Sequence, residues 1–159
     1  MNTPNLLDAV RIVKENERLS VESYANAAKK INSLGKKLFE QLSEFEKYHY
    51  ERITALEKSL EESGQFINYK GKELILPPKL EIKFAEEPDN KSLMEIISEA
   101  RKLERKAEKA YSNLAAQLED PQGHEMFVRL SEEEHKHFEI LSEAFWSLNQ
   151  TGVWKYASP

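Results

Sequence analysis

The sequence predicts an all-α protein, a four-helix bundle made of two repeated helical hairpins joined by a long, partly extended crossover. Apolar residues recur at alternating steps of three and four along four stretches, the spacing of a helix face packed inside a bundle. The second pair of stretches repeats the first. Composition agrees, because 32% of the 159 residues are charged, 40% are hydrophobic and few are glycine or proline, as suits helices with charged outer faces. We expect one domain over residues 1–159.

The first hairpin is predicted as helices at about residues 5–32 and 36–63, separated by a short break. The apolar stripe of the first helix contains one carboxylate, Glu17. The stripe of the second contains Glu46 and His49, which are one helical turn apart and share a face. An unpaired buried carboxylate is costly, so these positions call for an explanation.

Residues 64–91 form the predicted crossover, where prolines alternate with apolar residues. This pattern indicates extended structure or a short hairpin within the segment. Fully extended, the segment could span about 85 Å, far more than a tight turn needs. It can therefore run back along the whole bundle.

The second hairpin is predicted as helices at about residues 92–119 and 122–148. A single glutamate, Glu104, again lies in the stripe of the first helix, and a Glu-x-x-His pair, Glu134 and His137, lies in the stripe of the second. The arrangement of ionisable residues thus occurs twice.

The repetition extends to the surrounding sequence. FEQLSEFEKYHYERI from Phe39 aligns with FVRLSEEEHKHFEIL from Phe127, and each lone glutamate is followed seven residues later by a tyrosine, Tyr24 or Tyr111. In each half the lone glutamate lies about 15 residues before the turn and the pair a similar distance after it, at 1.5 Å per residue. All six ionisable groups could therefore lie in one layer.

Six such groups in an apolar core predict a metal site. Four carboxylates would repel one another, whereas two divalent cations offset four negative charges. Oxygen and nitrogen donors without thiolate suit iron or manganese, with zinc tolerated. The alternative is a metal-free bundle in which these are satisfied polar core residues. The candidate ligands are Glu17, Glu46, His49, Glu104, Glu134 and His137.

Composition narrows the chemistry further. The chain has no cysteine, which excludes a disulfide, a thiolate nucleophile, an iron–sulfur cluster and a cysteine zinc site within it. A net charge of -5 argues against a nucleic-acid partner. The sequence shows neither a signal peptide nor an apolar run of about 20 residues, so we expect a cytoplasmic protein without a membrane partner.

Other polar and aromatic residues are expected outside the centre. A second Glu-x-x-His pair, Glu132 and His135, lies out of phase with the stripe, and charge runs such as residues 132–136 are interpreted as mostly solvent-facing. The aromatic C-terminus, with Trp146 and Trp154, could cap the bundle or meet another subunit.

A Glu from each of two helices, with Glu-x-x-His from each of the other two, resembles the ligand set of ferritin-like dinuclear carboxylate proteins. The sequence resembles the rubrerythrin group over both hairpins. The resemblance implies two iron ions bound by the six candidates, with Glu46 and Glu134 as the bridges. Tyr24 and Tyr111 would support the ligands from behind, or would be ordinary aromatic core.

Departures from the family pattern bear on function. Rubrerythrins usually add a glutamate one turn after the third-helix ligand, where this chain has Ala107, and a rubredoxin-like domain with four cysteines, which this sequence lacks. Electrons for catalysis would then come from a separate protein. Bacterioferritins place a haem methionine where this chain has Lys47, so no haem is expected.

The resemblance implies a non-haem diiron oxidoreductase that reduces peroxide or dioxygen, as in defence against oxidative stress. The alternatives are a ferritin-type protein that oxidises and stores iron, and a metal-free or zinc-filled bundle acting through partner contacts. Storage ferritins usually lack the second histidine of the symmetric pattern. A homodimer or higher homo-oligomer is expected, because dimers are common in the family.

Overall fold

Four long helices form the predicted bundle in the computed structural model, which describes residues 3–157. The helices pack chiefly as two consecutive pairs, the first with the second and the third with the fourth. They are α1 (Thr3–Lys30), α2 (Lys36–Ser63), α3 (Asn90–Gln117) and α4 (Pro121–Thr151). The all-α architecture predicted from the sequence is confirmed.

Local chemistry sets the helix ends. Gly64 and Gly152 adopt left-handed φ angles of 70° and 74° after α2 and α4, a conformation that only glycine adopts without steric cost. Helix α4 therefore continues to Thr151, beyond the predicted end. The carboxylates of Asp89 and Asp120 accept hydrogen bonds from backbone N–H groups in the first turns of α3 and α4, as N-cap residues do.

The crossover contains an extended strand but no hairpin of its own, so of the two predicted alternatives the hairpin was wrong. Its strand β1 (Lys79–Lys83) pairs antiparallel with β2 (Val153–Ala157), which follows directly after α4. Ile82 of β1 lies opposite Trp154 of β2, and both side chains are buried. The extended segment pairs with β2 rather than with itself, because that pairing buries the apolar side of both strands.

The two C-terminal tryptophans differ in burial. Trp154 is 1% exposed and packs against the core, whereas Trp146 on α4 is 55% exposed. Of the two residues, Trp154 therefore caps the bundle.

Two apolar clusters make up the core. One includes Phe39, Ile97 and Leu141, and the other includes Val13, Ile53 and Leu130. Along every helix the ionisable stripe residues fall between the positions that supply the two clusters. The charged layer is thus closed above and below by hydrocarbon.

No helix in residues 3–157 is both long enough and apolar enough to cross a lipid bilayer.

Candidate metal centre

Six ionisable side chains meet in the middle of the bundle, and each is at most 2% exposed. Their oxygen and nitrogen atoms form two overlapping quartets, in each of which the donor atoms lie within 4.8 Å of one another. One quartet is Glu17, Glu46, His49 and Glu134, and the other is Glu46, Glu104, Glu134 and His137. The layer predicted from the helical spacing is thus formed, with every helix contributing.

The two shared carboxylates lie between the histidines. Glu46 places Oε2 3.3 Å from Nδ1 of His49 and Oε1 3.1 Å from Nδ1 of His137. Glu134 places Oε1 2.7 Å from Nδ1 of His49 and Oε2 3.9 Å from Nδ1 of His137. Each of these carboxylates thus offers one oxygen to each side of the centre, which is the disposition of a bridging ligand.

Glu17 and Glu104 each serve one side. Oε1 of Glu17 lies 3.6 Å from Nδ1 of His49, and Oε1 of Glu104 lies 3.4 Å from Nδ1 of His137. The centre therefore has an approximate twofold symmetry that follows the sequence repeat.

Several donor atoms in the centre face one another at ion-pair distances without making a well-directed hydrogen bond. In native proteins nearly all buried polar atoms are paired, and an exception calls for an explanation such as an ion. Among the described residues, five of the seven buried unpaired side-chain atoms belong to this centre: Glu17 Oε2, Glu46 Oε2, His49 Nδ1, Glu104 Oε2 and Glu134 Oε1. The donor set therefore fits divalent cations, because a cation supplies the partner that these lone pairs lack.

Without metal, the carboxylates compete for protons. Burial raises the pKa of Glu17 well above its usual range, and the neighbouring Glu46 raises it further. Burial and the charge of Glu104 do the same to the pKa of Glu134. Burial also acts to raise the pKa of Glu46, but hydrogen bonds with Glu17, His137 and His49 outweigh it and hold that pKa well below its usual range.

The surrounding carboxylates favour the protonated form of both histidines. Burial would lower the pKa of His49, but the charge of Glu134 and hydrogen bonds to the surrounding glutamates outweigh it, so the pKa is raised well above its usual value. Burial also opposes the shift at His137, yet the charge of Glu104 and its hydrogen bond raise that pKa to about 9. A binding metal ion must therefore displace protons from the ligands.

Two tyrosines cross the bundle to support the unshared glutamates. Tyr24 of α1 donates its hydroxyl hydrogen to Glu104 of α3 over 2.6 Å, and Tyr111 of α3 donates to Glu17 of α1. Both rings are about 1% exposed. These residues thus do more than fill the core, since each fixes a carboxylate from the opposite half of the chain.

Glu133 lies in the charge run 132–136, which is predicted to be mostly solvent-facing, but Glu133 is buried and the prediction is wrong for this residue. Its carboxylate is buried, with Oε2 3.4 Å from Nε2 of His49, and it accepts a hydrogen bond from Tyr69 of the crossover over 2.8 Å. It lies one residue before Glu134, at the edge of the apolar stripe, so the helical spacing gave no signal for it. Only the path of the crossover shows why it is buried.

The out-of-phase Glu-x-x-His pair lies outside the centre, as predicted. His135 has a 45% exposed side chain and contacts Glu108 and Glu139 on the outer face of the bundle. Glu132 is exposed.

A cavity of about 210 Å³ leads from the surface to one side of the centre. Its inner wall includes Phe45, Glu133 and His137, and its rim carries the cations Lys72, Arg129 and Lys136. A larger groove of about 630 Å³ lies between α1 and α2 and touches none of the six candidate ligands. Of these two cavities, only the smaller is lined by a candidate ligand, so it offers a small molecule an approach to the centre.

Comparison with known proteins supports the resemblance. The rubrerythrin family model matches residues 95–158, which include Glu104, Glu134 and His137. A hypothetical protein from Pyrococcus furiosus has a similar solved structure, with a TM-score of 0.73 and 20% sequence identity over 91% of this chain and 90% of that chain. At this identity the likeness shows the fold alone. No curated protein matches the chain.

Proposed function

We propose that this chain, which resembles the rubrerythrins, holds two metal ions in its core and, loaded with iron, reduces peroxide or dioxygen. The observation that carries the proposal is the set of five buried, unpaired donor atoms converging in two overlapping quartets. The match to the rubrerythrin family model supports a metal centre of the diiron type.

The proposed ligands divide into three pairs. Glu17 and His49 would hold one ion, Glu104 and His137 would hold the other, and the two shared glutamates of the quartets would bind both. Burial and repulsion by neighbouring glutamates raise the pKa of two of these groups, and two divalent cations would offset the four carboxylate charges. Carboxylate and imidazole donors without thiolate suit iron or manganese, with zinc tolerated.

Two ferrous ions would supply the two electrons with which hydrogen peroxide and two protons become two molecules of water. The ions must then be reduced again from outside. The 159 residues contain no cysteine, so they hold no iron–sulfur group to relay electrons. We infer that the electrons come from a donor outside these 159 residues, which we propose is a partner protein.

The protein's share of the reaction is binding, orientation and access. Tyr24 and Tyr111 fix the unshared glutamates, and the apolar clusters keep bulk water from the layer. The cavity at His137 admits a molecule the size of peroxide or dioxygen. Its cationic rim favours entry of small neutral or anionic species over free cations.

Metal analysis combined with rapid mixing tests the proposal. The purified chain is titrated anaerobically with ferrous ion and then mixed with peroxide or, separately, with air-saturated buffer. We expect two irons per chain and faster oxidation by peroxide. Glu134→Ala should lose both ions, whereas Glu132→Ala on the exposed face should behave as the parent chain.

Other outcomes would overturn the proposal. Preference for air, with many more than two irons retained per chain, would indicate ferritin-type storage instead. Absence of stoichiometric metal in both the parent chain and Glu46→Ala would indicate a metal-free bundle.

A further inference from the structure

The internal repeat fails at one position that touches the centre. Each residue of α2 corresponds to the residue 88 positions later on α4, since Glu46 aligns with Glu134 and His49 with His137. By the same offset Phe45 aligns with Glu133. An apolar ring and a carboxylate therefore occupy equivalent places, one on each side of an otherwise symmetric site.

The carboxylate of Glu133 contacts the imidazole of His49. Its Oε2 lies 3.4 Å from Nε2 of His49, the ring nitrogen that points away from the quartet. Its Oε1 accepts hydrogen bonds from the hydroxyl of Tyr69 over 2.8 Å and from the backbone N–H of Lys72 over 3.1 Å. The crossover thus holds this carboxylate in place behind the imidazole.

Phe45 gives His137 a different environment. Its ring meets the imidazole edge to face, with centroids 4.3 Å apart and planes at 88°. Every ion pair of His137 with the described residues involves Nδ1, and none involves Nε2. His137 therefore lacks the outer carboxylate that His49 has.

An outer carboxylate matters because it fixes the tautomer and orientation of a ligating imidazole and raises its basicity, and its loss typically costs about 10- to 100-fold in metal affinity. We propose that Glu133 is a positioning residue that makes the two metal positions unequal. The position of Glu17 and His49 binds a divalent ion about 10- to 100-fold more tightly than the position of Glu104 and His137. The inference rests on the proposed binding of two ions by the six side chains.

Anaerobic titration of the full chain with cobalt(II), followed by calorimetry and visible absorption, tests this. We expect two binding steps whose dissociation constants differ by about 10- to 100-fold. Glu104→Ala should keep the tight step and lose the weak one, and Glu17→Ala should do the reverse. Two equal steps in the parent chain would overturn the inference and leave the proposed function standing, whereas no binding would overturn both.

Variants of the outer carboxylate separate positioning from folding. Glu133→Gln should weaken the tight step by about 10- to 100-fold, change the cobalt absorption of the first ion and spare the second step. Tyr69→Phe leaves the carboxylate in place with one donor fewer and should give a smaller loss at the same step. Glu132→Gln, one residue away and exposed, should change neither step. Equal weakening of both steps by Glu133→Gln would contradict the inference.

Discussion

Glu46 and Glu134 differ from the other carboxylates of the centre in facing both histidines at once. For Glu134 the ionised form is unfavourable without metal, because burial and three neighbouring glutamates raise its pKa. The ionised form becomes favourable when cations are bound on both sides. Glu134 thus contributes to stability with opposite signs in the metal-free and metal-loaded states.

Glu134→Gln should therefore change the free energy of unfolding in different directions in the metal-free and the metal-loaded chain. In the metal-free chain, removing one crowded carboxylate of equal shape should leave the free energy of unfolding unchanged or raise it by about 1 kcal/mol. In the loaded chain the variant should be less stable than the parent, because it binds both ions more weakly. Urea unfolding with and without chelator measures both. Destabilisation of equal size in the two states would contradict this account, and Glu132→Gln is the matched control.

The candidate ligands could be predicted from the sequence because their helical spacing reveals them. The six candidate ligands interrupt apolar stripes, so their place in one buried layer follows from the sequence, whereas their binding of metal stays a prediction. Glu133 could not be identified in this way, since its burial depends on Tyr69 and Lys72, which arrive from a crossover without regular local structure.

At the scale of elements, α1 and α2 are joined across their outer faces by ion pairs as well as by the core. Glu57 of α2 contacts Lys14 over 2.8 Å and Arg11 over 2.9 Å, both on α1. Its side chain is 15% exposed, and the hydrogen bond from Lys14 lowers its pKa despite partial burial. These two ion pairs therefore stabilise the packing of α1 against α2 while Glu57 is ionised.

This gives a pH dependence with a definite sign. A carboxyl whose pKa is lowered on folding stabilises the protein above its unfolded pKa of about 4.3, and that stabilisation is lost as pH falls through the folded pKa. Glu57→Gln should cost about 0.5 to 1 kcal/mol at pH 7, and the difference from the parent chain should shrink in acid. Urea unfolding over a pH series measures it. Glu62→Gln, on the exposed end of α2, should show no comparable change, and a constant difference at all pH values would refute the assignment.

The elements were predictable to different degrees. The helices follow from local periodicity and capping residues, so their existence was readable from the sequence. The pairing of β1 with β2 was not, because the strands lie at opposite ends of the second half and each is only five residues long. Contacts so distant in sequence leave no local pattern.

In the whole molecule, the charged layer separates two apolar clusters and is the least favourable part of the metal-free core. Five donor atoms there make no hydrogen bond, and burying polar atoms without hydrogen bonds costs free energy. Ligands that bind only the folded chain shift the unfolding equilibrium by mass action. The stability of this protein should therefore depend on its metal content.

Metal loading should raise the melting temperature. At 100 times the dissociation constant one ion adds about 2.7 kcal/mol, which for a chain of this size corresponds to about 5 to 11 °C. Calorimetry of the chelator-treated chain, with and without ferrous or cobalt ions under anaerobic conditions, measures the shift. Glu134→Ala is the control and should show little of it. An equal shift in that variant would mean that the ions bind elsewhere.

The repeat also determines what a single hairpin could do. Each quartet takes three ligands from one half of the chain and the fourth from the other, so one hairpin alone completes neither site. Two identical copies of the first half would carry phenylalanine on both sides, and two copies of the second half would carry glutamate on both. Joining unlike halves in one polypeptide is what allows one side to have Phe45 and the other Glu133. Joining the two hairpins in one polypeptide thus allows the two metal positions to have different surroundings, which a symmetric dimer of identical hairpins would not allow.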